Sequence, residues 1–293
     1  MTLIYDATFD KTTRKLAFED KAGNEIYSFI VPERAPTVDD ITKPLTFRAT
    51  QDGSTVTLVK DGSPSGDFQT SRDGGNTWAD YTIGTAITLN TDDEVSFRAN
   101  IDRTSEQSNQ KYFYFKTTGK IEAWHNVMSL YRANDFATYN TVVSYAFYRL
   151  FYGCTSLTKA PALPATTLAG YCYDSMFSNC SSLTKAPALP ATKLATGCYP
   201  DMFSNCTSLT EAPALPATKL ADRCYQYMFS YCNSLNEVRC QMPSSYSSSA
   251  ISSYAMDWLS GVSSTGTFYT NEDANWSSDS ASGIPTGWTR VNA

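Results

Sequence analysis

Three sets of residues in this 293-residue chain could do chemistry: eight cysteines, a single histidine (His125), and carboxylates that fall in pairs, Asp39-Asp40 and Asp92-Asp93. Cysteines make disulfides or hold zinc, a histidine activates a nucleophile, and two carboxylates about 5–9 Å apart cut glycosidic bonds. The spacing of each set argues against these uses. Cys154, Cys180, Cys206 and Cys232 follow one another every 26 residues, and Cys172, Cys198 and Cys224 do so in a second register. On a helix Cys172 and Cys180 would lie about 12 Å apart, beyond the ~7 Å limit for bridged Cα atoms. No CxxC occurs and one histidine is too few for the usual zinc sets. The cysteines therefore read as buried thiols stacked from turn to turn, with the off-register Cys240 as the exposed one. His125, flanked by Trp124 and Asn126, reads as structural, and the Asp pairs read as solvated turns. No catalytic residue, metal or cofactor is expected.

The same period governs binding candidates. Phe147, Tyr173, Tyr199 and Tyr225 form a column of rings that could hold a sugar or an apolar partner. Slots that change from unit to unit are expected to face solvent. Arg149, Asp174, Asp201 and Tyr227 occupy such slots and are the first candidates for surface recognition, with Tyr173, Tyr199 and Tyr225 beside them. Lys193, Lys219 and Arg223 could add hydrogen bonds to a glycan.

The elements that carry these residues follow from the repeat. Phe151, Phe177, Phe203 and Phe229, and Leu157, Leu183, Leu209 and Leu235, keep the 26-residue spacing. Periods of 20–50 residues imply coils that bury their apolar faces only by stacking. Within a unit, Leu157–Ala160 reads as a short strand ended by Pro161, and Cys172–Asn179 as a short helix with an i, i+4, i+8 apolar stripe. The fold class expected is mostly β. Residues 1–43 form a docking hairpin and linker, 44–118 a β-sandwich, 119–260 the solenoid, and 261–293, which break the period around Trp276 and Trp288, a C-terminal cap.

Strands are expected at 3–9, 15–19 and 26–31 in the first segment, which is too small to bury a core alone. Leu3, Tyr5, Phe9, Ile26 and Phe29 are its candidate docking residues. Hydrophobic residues make up 42% and charged residues 18%, as in a folded domain, and a net charge of −6 with scattered Lys and Arg argues against nucleic acid and anionic membrane surfaces. No apolar stretch is long enough to insert in a membrane, and the N-terminus lacks the pattern of a signal peptide.

The unit Met176-Phe177-Ser178-Asn179-Cys180-Ser181-Ser182-Leu183-Thr184 resembles the signature of BspA-type leucine-rich repeats. The likeness extends over about residues 119–293 and implies a right-handed solenoid with a parallel sheet, used for adhesion in surface proteins of gut bacteria and in their phages. Residues 68–78 are similar to an immunoglobulin-like module that precedes such repeats, and Tyr5-Asp6-Ala7-Thr8-Phe9-Asp10 resembles the start of small virion-attached fibre proteins. Ser71-Arg72-Asp73-Gly74-Gly75-Asn76-Thr77-Trp78 also fits the Asp-box turn of sialidase propellers, where the Asp accepts local backbone bonds. One copy cannot build a propeller, so a structural hairpin is expected. Together these resemblances imply a non-enzymatic phage virion accessory protein. It would be a head fibre or other capsid decoration, or a tail fibre, made in the host cytoplasm. Its N-terminus would bind capsid or tail proteins, and its repeats a host surface glycan or protein. A bacterial cell-surface adhesin is the alternative and a glycan hydrolase a third reading; oligomeric assembly is left open.

Overall fold

The structure, a computed structural model, describes residues 6–10, 15–19, 22, 25–30, 39–64, 66–100, 111–242, 246–270, 276–277 and 282–292. The chain divides into two compact units, Met1–Val38 and Asp39–Ala293. It is mostly β.

The first unit is an antiparallel sheet of β1 (Asp6–Asp10), β2 (Lys15–Glu19) and β3 (Glu25–Ile30), in that order. Phe9 pairs with Leu16 and Leu16 with Phe29, so these three share one row; Ala7, Phe18 and Tyr27 share another. Ile26 falls at the register irregularity opposite Phe18 and Glu19. Leu3 and Tyr5 lie outside the described residues.

The second unit begins with two sheets. β5 (Ser54–Asp61) pairs antiparallel with β10 (Tyr112–Thr118) and β8 (Ile87–Leu89). The other sheet carries β4 (Thr46–Ala49), β6 (Phe68–Ser71), β7 (Ala79–Tyr81), β9 (Glu94–Ala99), β11 (Ile121–Trp124) and β12 (Leu157–Lys159), in the order β12-β11-β4-β9-β6-β7. Alternation of apolar residues in β5 and β9 supplies the inner faces, which meet through Phe47 on Phe115 (4.7 Å between rings) and Phe68 on Phe113 (4.8 Å). β11 pairs antiparallel with β4 and parallel with β12, so one sheet runs from the sandwich into the repeats. The short 3-10 turn Val127–Leu130 secures this junction: buried Ser129 Oγ donates to Phe97 C=O (2.8 Å) and accepts from Leu45 N–H (2.9 Å).

The repeats stack as coils in parallel register, with isolated pairings such as Lys159 with Lys185 and Lys193 with Lys219. The rings of Phe115, Phe151, Phe177, Phe203 and Phe229 stack at 5.5, 5.2, 5.6 and 5.6 Å. The column therefore starts on a sandwich strand. Each cysteine of the first register donates its thiol to a phenylalanine carbonyl of the preceding coil or strand: Cys154 to Phe115 (3.1 Å), Cys180 to Phe151 (3.1 Å), Cys206 to Phe177 (3.2 Å) and Cys232 to Phe203 (3.0 Å). A small apolar side chain with one weak donor suits this slot. All eight cysteines are free and buried, Cys240 among them. The expectation of an exposed Cys240 is overturned. It ends β13 (Glu237–Cys240), and burial raises its thiol far above the ordinary range.

The expected helix over 172–179 is absent. The N–H groups of Tyr173, Ser175, Phe177 and Asn179 donate to the next coil, while those of Asp174, Met176, Ser178 and Cys180 donate three residues back. Every fourth residue is left-handed: Tyr171 (φ 57°), Ser175 (54°) and Asn179 (63°), with equivalents at Tyr145, Arg149, Gly153, Gly197, Asp201, Asn205, Arg223, Tyr227 and Tyr231. This run of turns has a period of four residues. Its apolar stripe imitates a helix of period 3.6.

The stack also continues past its expected end. β13, β14 (Gly266–Thr270) and β15 (Trp288–Asn292) form a parallel sheet. Glu237 pairs with Thr267 and Thr267 with Thr289, spacings that differ from the earlier period. The one α-helix among the described residues, α1 (Ser248–Tyr254), lies in the lengthened coil. Trp258, fully buried, closes both ring columns, on Tyr225 at 5.8 Å and against Phe229 at 6.3 Å.

Candidate recognition surface

Arg149, Asp201 and Tyr227 share one left-handed slot in successive coils, and Asp174 precedes Ser175 in the same slot. All four are half-buried. Variation between repeats is therefore a poor sign of exposure: Tyr148, Ser175 and Pro200 occupy variable slots and are buried. The Asp174 carboxylate accepts from the Ser175 hydroxyl (2.6 Å), and burial raises its pKa. Asp201 is raised to about 6 by burial and then by the charge of Asp174.

Tyr173, Tyr199 and Tyr225 do not form a binding face. Their rings stack at 5.8 and 6.3 Å inside the core, at 1%, 2% and 1% exposure. Two consecutive residues of each four-residue turn face inward, as Cys172 and Tyr173 do, so the ring next to the cysteine is buried with it.

Accessible aromatic surface lies instead beside the first coil. Tyr145 stacks on Tyr171 (5.2 Å, 9°) and meets Tyr148 (6.0 Å); Tyr148 meets Tyr112 of β10 (5.1 Å), which meets Tyr114 (5.8 Å). Tyr145, Tyr171 and Tyr114 are half-buried, and Tyr152 is 41% exposed. Arg149 lies among them, its guanidinium 5.2 Å from the Tyr148 ring centre and 4.9 Å from that of Tyr152. These tyrosines were missed in the sequence because they do not run through all the units: Tyr148 and Tyr152 occur in one, the Tyr145 slot keeps its ring only at Tyr171, and Tyr112 and Tyr114 lie on a sandwich strand. Later coils place Asp174 and Ser178, then Pro200 and Ser204, where the first has Tyr148 and Tyr152. That contrast, Tyr145-x-x-Tyr148-Arg149-x-x-Tyr152, was the available signal. Lys193, Lys219 and Arg223 are exposed on the coils, and Arg223 faces Asp222 (3.6 Å).

The residues first considered for catalysis serve the framework. Asp73 accepts from Ser71 Oγ (2.6 Å), Thr77 N–H (2.9 Å) and Thr77 Oγ1 (2.6 Å), bonds that hold its carboxyl far below the ordinary range. Trp78 closes the β6–β7 hairpin by donating to Gly75 C=O (2.9 Å). His125 Nδ1 accepts from Asp40 N–H (3.1 Å), and burial lowers its pKa. Asp39 binds Lys159 Nζ (2.8 Å), which lies 3.7 Å from the Trp124 ring centre. Asp93 accepts from Asn90 N–H (2.8 Å), beside Asp92 in a left-handed turn.

No protein family, curated protein or solved structure matches this chain.

The tyrosine surface around Arg149 is the candidate site. It combines flat amphipathic rings with a guanidinium, a set suited to holding a ligand.

Proposed function

We propose that this chain is a non-enzymatic virion accessory protein, a capsid-attached or tail-attached fibre or decoration of a tailed phage, which displays a leucine-rich-repeat stack for adhesion. The observation that carries the adhesive part is the tyrosine surface around Arg149, where the partly exposed Tyr114, Tyr145, Tyr171 and Tyr152 of a sandwich strand and the first two coils lie about the buried Tyr112 and Tyr148. Rings held by a stacked core lose little entropy on binding. The immunoglobulin-like reading of the sandwich and the leucine-rich-repeat reading of the coils rest on the sequence resemblance, together with the two-sheet core and the 26-residue stacking. Docking through the N-terminal unit is supported by its separation as a compact unit and by the shared row of Phe9, Leu16 and Phe29.

The test has two parts. Proteomics of purified particles should find the chain at fixed copy number, and the isolated protein should bind host cells. Presence on bacterial surfaces but not in particles would favour the cell-surface adhesin instead. Failure of the intact chain to bind any host surface would remove the adhesive role.

A further inference from the structure

The tyrosine surface continues into a groove of about 490 Å³ between the last sandwich strand and the first coil, lined by Tyr112, Tyr114, Lys116, Thr117, Arg149 and Tyr152 among others. Its chemistry is specific. Tyr114 and Tyr152 offer ring faces, the Thr117 and Thr118 hydroxyls pair with Ser156 and Thr55 (2.7 Å each), and Lys116 and Arg149 form no ion pair among the described residues. Lys116 Nζ stands 5.7 Å from the Tyr114 ring centre, so each cation sits beside a ring. Arg149 Nε is buried and has no hydrogen-bond partner. Two carboxylates border this region: Asp61 accepts from the Tyr112 hydroxyl (3.0 Å) and Asp174 from Ser175, while Arg149 acts through its charge on Asp174 and reaches the Tyr112 hydroxyl. By contrast, the polar groove at the sandwich edge, lined by Gln69, Asp80 and Arg98, satisfies itself, Gln69 donating to Asp80 (3.0 Å) and accepting from Arg98 (2.9 Å).

We infer that this groove binds a carboxylate-bearing sugar, one unit of an acidic surface polysaccharide, which deepens the adhesive reading and rests on it. The sugar's flat face would lie against Tyr152 or Tyr114, and its carboxylate would bind between Arg149 and Lys116. A guanidinium matches a carboxylate with two parallel hydrogen bonds, and an aromatic ring matches the apolar face of a pyranose. A neutral sugar would satisfy the rings and bring no charge to Arg149 or Lys116.

The probe is a hexuronate oligosaccharide, compared with the same oligosaccharide after reduction of its carboxyl groups, titrated calorimetrically into the full-length chain. The acidic form should bind at least roughly tenfold more tightly, and added salt should narrow the difference. Arg149→Gln and Lys116→Gln should each remove most of that preference, while Tyr152→Ala should weaken both forms. Because Arg149 holds a left-handed backbone position, Lys116→Gln and Tyr152→Ala carry the test if Arg149→Gln fails to fold. Lys219→Gln, on a distant coil, should change nothing. Equal binding of acidic and reduced forms, no binding of either, or displacement by inorganic phosphate as effective as by the hexuronate would overturn the inference. Cell attachment read in parallel separates the two levels. Attachment that survives all three groove variants sinks the groove and spares the adhesin, whereas no attachment by the wild-type chain sinks the adhesin itself.

Discussion

Asp201 shows how one coil position couples burial, charge and backbone. Its carboxyl titrates at about 6 in the folded chain against 3.8 ordinarily, because burial and then the Asp174 charge disfavour ionisation. An acid whose folded pKa lies above its unfolded one stays protonated in the native state while the unfolded chain has already lost the proton. Stability from this group therefore falls as pH rises from about 4 to about 6, and is level on either side. Asp201→Asn removes that penalty and keeps a residue tolerant of φ 51°. Equilibrium denaturation should find it more stable than wild type by about 1–2 kcal/mol near pH 7.5, allowing for partial exposure, and equal near pH 3.5. No pH dependence of the difference would mean a solvated carboxylate. Gly197 makes a different demand. A methyl there would stand 2.5 Å from Tyr171 Cε1, at φ 56°. Gly197→Ala should cost about 1–3 kcal/mol, and less in a Tyr171→Ala background, where only the backbone part remains. Thiol titration of the native chain should find no reactive cysteine, and eight after unfolding. A fast-reacting Cys240 would contradict its burial.

Among the elements, the ring column carries most of the coil energetics. Phe203 stacks on Phe177 and Phe229 at 5.6 Å each and is fully buried. Phe203→Ala should cost about 3–5 kcal/mol by denaturant titration. A loss below about 1 kcal/mol would mean that the coils collapse around the gap. The inward slots of Cys, Phe and Leu were legible in the sequence because stacking requires the same side chain in every coil. The turns between them were not, since their four-residue period places Cys172, Met176 and Cys180 on one side as a helix would. Strand β11 was hidden because its partners, β4 and β12, lie far away in sequence. The last two coils were hidden by their unequal lengths. At the candidate site, Arg149 was found as a variable residue, whereas Tyr152 belongs to one unit and leaves no trace in the period, and Tyr145 repeats only once, as Tyr171. The column at Tyr173 was legible as stacked rings, but not as buried ones.

At the scale of the whole molecule, residues 39–293 should unfold as one body. The six-stranded sheet crosses from the sandwich into the coils, and Phe115 N–H donates to Leu150 C=O (2.7 Å) as later coils donate to one another. Calorimetry of a 39–293 fragment should give a single transition within a few degrees of the full chain, and two separated transitions would break the claim. The same fragment should be missing from purified particles if the first unit is the anchor. Normal incorporation would refute that assignment.

The uniform coil has a geometric consequence. Because each repeat meets its neighbours through the same slots, removing residues 181–206 would join Cys180 to Thr207 and leave Phe177 facing Phe229 across a gap of the same size. The protein is thus a ruler graduated in single coils, each adding the 5.2–5.6 Å that separates one phenylalanine from the next. Reach from the sandwich to the Trp258 closure can lengthen or shorten by whole graduations, with the groove at the near end left untouched.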